Sequence, residues 1–167
     1  MTDPKPAYRA NLADLPVLQV KPADKNNTAA FNLQMISGME SSVMIANRDG
    51  GYHTKPHFHD SEQINWIMEG EIWFFVDGRG FRCKPGDFMR IPRGKTHWAW
   101  NRGPAKCRIL EVHTPPLTGE ADLNSACLRL LGPDDDQSKY RGVPNQWGPF
   151  DQAEVDAIEA RAVSEEG

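Results

Sequence analysis

Three histidines and one glutamine occur at spacings that can bring their side chains to a single metal ion. His57 and His59 are separated by one residue, and Gln63 follows four positions later. Alternate residues of a β-strand point to the same face, so the two imidazoles and the amide share a face if this segment is extended. Imidazole is a common ligand of divalent transition metals, and an amide oxygen can complete the set. The spacing therefore predicts a metal site.

The third histidine, His97, follows a segment that is rich in turn residues. Residues 86–97 read as a short strand, a tight turn that contains Pro92 and Gly94, and a return strand that begins near His97. A tight turn fixes where the next residue lies, so His97 can join the other two imidazoles. His53 and His113 do not share the spacing of the other three histidines and are expected to be strand or loop residues. If the strands close into a barrel, His113 could lie near its mouth.

The two stretches together resemble the two motifs of the cupin superfamily. The first motif runs Gly, five residues, His-x-His, three or four residues, Glu, six residues, Gly, and residues 51–70 match it with Gln63 in place of the glutamate. The second motif runs Gly, five residues, Pro-x-Gly, two residues, His, three residues, Asn, and residues 86–101 match it throughout. The resemblance implies an all-β fold, the double-stranded β-helix or jelly-roll barrel.

The resemblance also implies a set of metal ligands. It assigns His57, His59 and His97 as ligands and places Gln63 where most cupins have a metal-binding glutamate. A neutral amide leaves a divalent ion at a formal charge of about +2, which makes the ion a stronger Lewis acid and a better partner for an anionic chelating substrate. The alternative is that Gln63 only hydrogen-bonds a bound water and leaves a three-histidine site.

Several other polar residues are candidates for contact with a substrate. Asn65 has the same strand parity as Gln63, so it is expected to point into the barrel and to touch the substrate. Arg90 is a charge within an otherwise apolar strand and could clamp a carboxylate bidentately, the alternative being an exposed cation on an edge. The candidates for a catalytic acid or base are Glu62, Glu111 and His113.

The expected chemistry is that of a metal-dependent enzyme. With Fe(II), the favoured ion, the expected reaction is dioxygenation of a small oxygen-chelating metabolite, because neutral histidine-rich sites let substrate and O2 both coordinate. The first alternative is a non-redox isomerisation, lysis or epimerisation of a small carbonyl compound or sugar acid. The second alternative is a barrel that binds a ligand without turnover. Mn, Ni, Co, Cu and Zn also accept imidazole ligands.

A chain of 167 residues is long enough for one domain with a real core. Residues 1–40 are expected to form an N-terminal arm and the first strands, residues 41–116 the barrel, and residues 117–167 an extension with one helix at about 151–163. The helix is indicated by a capping-box-like start at Asp151 and by apolar residues at helical spacing. Glu159 is expected on its solvated side.

Composition limits the partners of the protein. A net charge of −4 and a pI near 5.7 do not indicate a basic surface that binds nucleic acid. A mean hydropathy of −0.61 with no long apolar run argues against a membrane protein. The start of the chain lacks the pattern of a signal peptide, so a cytoplasmic location is expected.

Cys83, Cys107 and Cys127 are expected as reduced thiols. Small molecules are the expected ligands, and a homodimer is common in the superfamily that the chain resembles.

Overall fold

The computed structural model describes residues 11–20, 31–37, 40–116 and 149–166. Strands dominate these ranges, which confirms the all-β architecture. The elements are β1 (Leu18–Val20), β2 (Phe31–Ser37), β3 (Ser42–Arg48), β4 (Glu62–Glu69), β5 (Ile72–Val76), β6 (Arg79–Cys83), β7 (Phe88–Ile91), β8 (His97–Trp100), β9 (Cys107–Thr114) and helix α1 (Gln152–Glu166), with a short 3₁₀ turn at Leu12–Asp14.

The strands form two antiparallel sheets that pack face to face as a jelly-roll barrel. The larger sheet has the order β1-β2-β3-β9-β4-β7, and the smaller has the order β6-β5-β8. Strand β9 pairs with both β3 and β4, so the last strand of the barrel lies between two early ones. Apolar side chains from both sheets fill the space between them, including Leu33, Ile67, Phe74 and Ile109.

Side chains alternate between the interior and the outer face in the strands that form the barrel wall. In β4, Gln63, Asn65 and Ile67 are buried, whereas Ile64 and Trp66 are exposed, which confirms the predicted parity. The same alternation runs through β3 and β9. At several inward positions the side chain is polar, and these positions supply the candidate site: Arg48, Gln63, Glu111 and His113.

Strand β5 is buried on both of its faces. Phe74 points into the barrel core, while Trp73 and Phe75 pack against α1. This double burial explains why the strand is a continuous apolar run rather than an alternating one. The hairpin to β6 turns through Asp77 and Gly78, whose φ angles of 52° and 76° suit the two-residue turns that favour an Asp-Gly pair.

Helix α1 lies where a helix was predicted and packs on the smaller sheet. The Asp151 carboxylate accepts a hydrogen bond from the Ala153 backbone N–H at 2.8 Å and so caps the first turn. Glu159 corrects the expectation of a solvated position, because it is 6% exposed. Its Oε1 accepts from the Trp98 indole N–H at 2.7 Å and lies 2.8 Å from Nε2 of His53. These partners offset the cost of burying the carboxylate.

Two of the three cysteines fall within the described residues. Cys83 and Cys107 are both buried and free, and burial raises the pKa of Cys83 to about 12 and that of Cys107 to about 11. Both are therefore protonated thiols at neutral pH, as expected. Cys127, most of the predicted arm and the predicted extension up to residue 148 lie outside the described residues. None of the described helices is long and apolar enough to cross a membrane.

Candidate metal centre

The three predicted histidine ligands are brought together by backbone hydrogen bonds. His57 and His97 form an isolated antiparallel bridge, in which each N–H donates to the carbonyl of the other, at 3.0 and 2.8 Å. The Pro/Gly turn is tied to the same segment, because the Gly94 N–H donates to the His59 carbonyl at 2.9 Å. As a result, candidate ligand atoms of His57, His59 and His97 all lie within 4.8 Å of one another, and all three side chains are buried.

The protonation of each imidazole is fixed by a backbone carbonyl. A carbonyl oxygen can only accept, so the ring nitrogen beside it, Nδ1, carries the proton and Nε2 is left with a lone pair. Such a supporting bond is the usual partner of a metal-binding histidine. The pairs are His57 with Lys55 O at 2.8 Å, His59 with Ser61 O at 2.8 Å, and His97 with Lys95 O at 2.9 Å.

The electrostatics keep these imidazoles neutral. Burial, aided by repulsion from neighbouring histidines, lowers the pKa of His57 to about 3 and that of His59 to about 4, and it lowers the pKa of His97 well below its ordinary value. Within the described part of the chain, no protein group bonds to Nε2 of His97, which is buried. A buried lone pair beside two other imidazoles is what a divalent cation requires, so the residues fit a metal ion.

The same pKa values predict that the metal-free protein loses stability in mild acid. Unfolded histidines take up protons near pH 6.5, whereas His59 in the folded state does so only near pH 4, so the unfolded state binds more protons between these values. His59 alone should remove about 3 kcal/mol of unfolding free energy between pH 6.5 and 4. Urea unfolding in a chelator at several pH values measures this loss.

One variant isolates the contribution of His59 from that of the other groups. His59→Gln should reduce the pH dependence between 6.5 and 4 by the share of His59, while His57 and His97, whose pKa values are also lowered, keep theirs. Equal slopes for wild type and His59→Gln would contradict the assignment of a buried neutral imidazole.

Gln63 lies at the edge of the histidine cluster, with its amide oxygen turned towards it. Its Oε1 is 3.2 Å from Nε2 of His59. The orientation is set by a relay, because Gln63 Nε2 donates to Asn65 Oδ1 at 2.9 Å and Asn65 Nδ2 lies 3.5 Å from the Met89 carbonyl. Because the proton of His59 is on Nδ1, the two atoms that face each other, Nε2 of His59 and Oε1 of Gln63, are both hydrogen-bond acceptors. A cation shared by both atoms would relieve their repulsion, which favours Gln63 as a ligand.

Asn65 has a different place from the one expected. It is fully buried, as its parity predicted, but it does not line the cavity beside the histidines. Its contacts are with Gln63 and Met89, because it lies one inward position further along β4. Asn65 therefore orients the amide of Gln63, and the expectation of substrate contact is corrected.

Glu62 and Arg90 also lie away from the cavity. Arg90 is paired in register with Ile64, whose side chain is on the outer face of the sheet. The Arg90 guanidinium donates from Nε to the Glu62 carboxylate at 2.8 Å, and both side chains are substantially exposed. This outward placement agrees with the alternative of an exposed Arg90, and it puts both side chains away from the cavity.

Glu111 and His113 do reach the cavity, from inward positions of β9. Nε2 of His113 lies 2.9 Å from one oxygen of Glu111, and the other oxygen accepts from Nη2 of Arg48. Burial alone would raise the pKa of Glu111, but the Arg48 charge and the His113 hydrogen bond lower it below its ordinary value, so the carboxylate is ionised. The His113 ring lies 5.2 Å from that of His59, measured between ring centroids.

These side chains enclose one small cavity. Its volume is about 40 Å³, which is room for an ion and a few atoms of a ligand. Sequence reasoning did not identify Arg48, although the alternation of Met44, Ala46 and Arg48 in β3 places its side chain inward. The lining is Arg48, Tyr52, Thr54, His57, His59, Gln63, Phe74, His97, Ala99, Glu111 and His113.

Comparison with known proteins identifies the domain. Residues 45–113 match the family model described as the cupin domain. An RmlC-like cupin from Shewanella frigidimarina has a similar structure, with a TM-score of 0.56 and 18% identity over 71% of this chain and 96% of that one. The fold and the buried histidines define a jelly-roll barrel with a candidate metal site. The chain belongs to the cupin superfamily.

Curated relatives are matched over shorter lengths. The transcriptional regulator PuuR of Escherichia coli is 33% identical over 57 residues, which are 34% of this chain and 31% of PuuR, so the chain spans about a third of that relative. An acireductone dioxygenase of Frankia alni is 39% identical over 46 residues, 25% of this chain and 22% of that enzyme. Protein MJ1618 of Methanocaldococcus jannaschii is 33% identical over 84 residues, 50% of this chain and 67% of that protein.

Proposed function

We propose that this protein is a metal-dependent cupin enzyme that acts on a small oxygen-chelating metabolite. The observation that carries the proposal is the convergence of three buried, neutral imidazoles, each with its proton held on Nδ1 by a backbone carbonyl. The unprotonated nitrogens share a cavity with an ionised carboxylate and a guanidinium, so binding and proton-moving groups lie around one point.

His57, His59 and His97 would hold one divalent ion, and Gln63 would be a fourth ligand. Because all four side chains are neutral, they leave the positive charge of the ion for an anionic substrate. When bound, the ion supplies Lewis-acid activation and, if it is iron, reaction with O2. Asn65 keeps the amide of Gln63 turned towards the cluster, and the three carbonyl partners keep the imidazoles in the binding tautomer.

Dioxygenation with Fe(II) is the leading reaction. Its support is the neutral donor set, which leaves charge and coordination positions for both a chelating substrate and O2. The local similarity to the acireductone dioxygenase of Frankia alni agrees with this choice. The alternative is a non-redox reaction, the isomerisation or lysis of a small carbonyl compound. Its support is His113, which could act as the base. Its Nε2 proton is held by Glu111, which leaves Nδ1 able to take a proton from a substrate in the cavity.

The first experiment is elemental analysis of protein purified without a histidine tag, followed by O2 uptake on a panel of small acids and enols. About one equivalent of iron with O2 consumption would support the dioxygenase. Turnover without O2 on manganese, nickel or zinc would support the alternative. Failure to bind any metal after reconstitution would contradict both and leave a ligand-binding barrel. The cytoplasmic location and the homodimer stay predictions.

A further inference from the structure

Arg48 brings a second positive group into the cavity of the candidate metal centre. It is 5% exposed and lines the cavity from the end of β3. Its Nη2 donates to Glu111, but Nε and Nη1 are buried and have no hydrogen-bond partner in the part of the chain that the structure describes. A guanidinium has five N–H donors, and those on Nε and Nη1 of Arg48 are left without an acceptor among the described residues.

Unsatisfied donors on a buried guanidinium are costly, and natural proteins rarely keep them without a reason. Glu111 and Tyr52 hold this guanidinium in place. The Glu111 carboxylate anchors one end, and Tyr52 makes a side-chain hydrogen bond with Arg48 and has its ring centre 5.3 Å from the guanidinium carbon. The group is therefore fixed before a ligand arrives, so binding costs little conformational entropy.

The charge of the cavity favours a carboxylate as the ligand. Arg48 and Glu111 cancel each other, and the histidines and Gln63 are neutral, so a divalent ion would leave the cavity with a net positive charge. A carboxylate oxygen would satisfy the N–H groups of Arg48 with charge-assisted hydrogen bonds. The cavity of about 40 Å³ has room for a small carboxylate group.

We propose that Arg48 is the anion-binding residue of this cavity and selects substrates that carry a small carboxylate. The inference rests on the proposed metal-dependent function and narrows its substrate to a carboxylic acid whose acid group is enclosed by the barrel. Glu111 acts here as a positioning residue, because its carboxylate holds the guanidinium of Arg48.

The test compares formate with formamide, which have nearly the same size and shape but differ in charge. Binding to Zn(II)-loaded protein is measured by calorimetric titration, after elemental analysis of each variant. Arg48→Met with Glu111→Gln removes both charges together and leaves no unpaired buried ion. We expect formate binding to weaken about 10- to 100-fold in this double variant, as for loss of hydrogen bonds to a charged group, and formamide binding to stay unchanged. Arg48→Lys should recover only part of the loss.

A second measurement does not depend on the folding of a variant. In wild-type protein, formate should shift the NMR signal of the Arg48 Nε–H, and formamide should not. The proposal would be overturned if the metal-replete double variant bound formate as tightly as wild type. It would also be overturned if the Nε–H signal of Arg48 did not shift when formate is added. Failure of the metal function is seen separately, as wild-type protein that takes up no zinc, and it removes the net positive charge on which this inference rests. Zinc-loaded wild-type protein that shows no response to formate overturns the inference alone.

Discussion

Replacing His97 with alanine should weaken metal binding by more than about 100-fold. Loss of a group that merely supports a ligand costs 10- to 100-fold in affinity, so loss of the ligand itself should exceed that range. The Nε2 atom of His97 is buried and unprotonated, and it has no other protein partner within the described ranges. Titration of the metal-free protein with zinc against a competing chelator measures the affinity, and activity should fall with metal content.

His53→Ala is the matched control for this prediction. His53 stacks on Trp100, with ring centroids 5.0 Å apart, and its Nε2 faces Glu159 rather than the cluster. Its removal should leave zinc affinity within a few-fold of wild type. If His97→Ala kept wild-type affinity, or if both variants lost it equally, the cluster could not be the metal site.

The candidate ligands could be predicted from sequence because they belong to two motifs of fixed spacing. His57, His59 and Gln63 lie close together in the chain, although a bend at Asp60 and Ser61 separates the two histidines from strand β4. The position of His97 depends on the Pro/Gly turn before it, and the structure places that turn against the same segment. The backbone bridge that joins His57 to His97 is a long-range pairing that the spacing alone does not give.

The other residues of the cavity depend on contacts between distant parts of the chain. Arg48 meets Glu111 across 63 positions of sequence, and only the β3–β9 pairing brings them together. Glu159 shows the same limit. It lies on the buried face of α1 between Val155 and Ala162. A charged residue is normally expected on the solvated face, and its burial is understood only from its hydrogen bond with Trp98, 61 positions away.

The places of Arg90 and Asn65 also depend on strand pairing. Alternation gives the face of a side chain only when the start of a strand is known, and Arg90 falls on the outer face once its pairing with Ile64 is fixed. For Asn65 the face was right, but the distance along the strand decided the role. Its side chain reaches Gln63 and Met89 rather than the cavity.

Breaking the buried Arg48–Glu111 ion pair should strongly destabilise the protein. Removal of one partner of a buried ion pair typically costs about 3–5 kcal/mol, because the other charge is left without compensation. Both side chains are buried, with 6% and 8% exposed, so solvent cannot take over that role. Arg48→Met keeps most of the aliphatic packing of the side chain, so its loss of unfolding free energy in urea should report the unpaired carboxylate.

The double variant with Glu111→Gln decides whether charge or packing is responsible. The glutamine at position 111 keeps an oxygen that can accept a hydrogen bond from Nε2 of His113. It carries no charge, so the double variant has no unpaired buried carboxylate. The double variant should therefore be more stable than Arg48→Met alone, although it carries one more substitution, and the cycle of four proteins gives the coupling energy. If the two losses simply added, Arg48 and Glu111 would contribute independently, and Glu111 could not be what holds the guanidinium in the cavity.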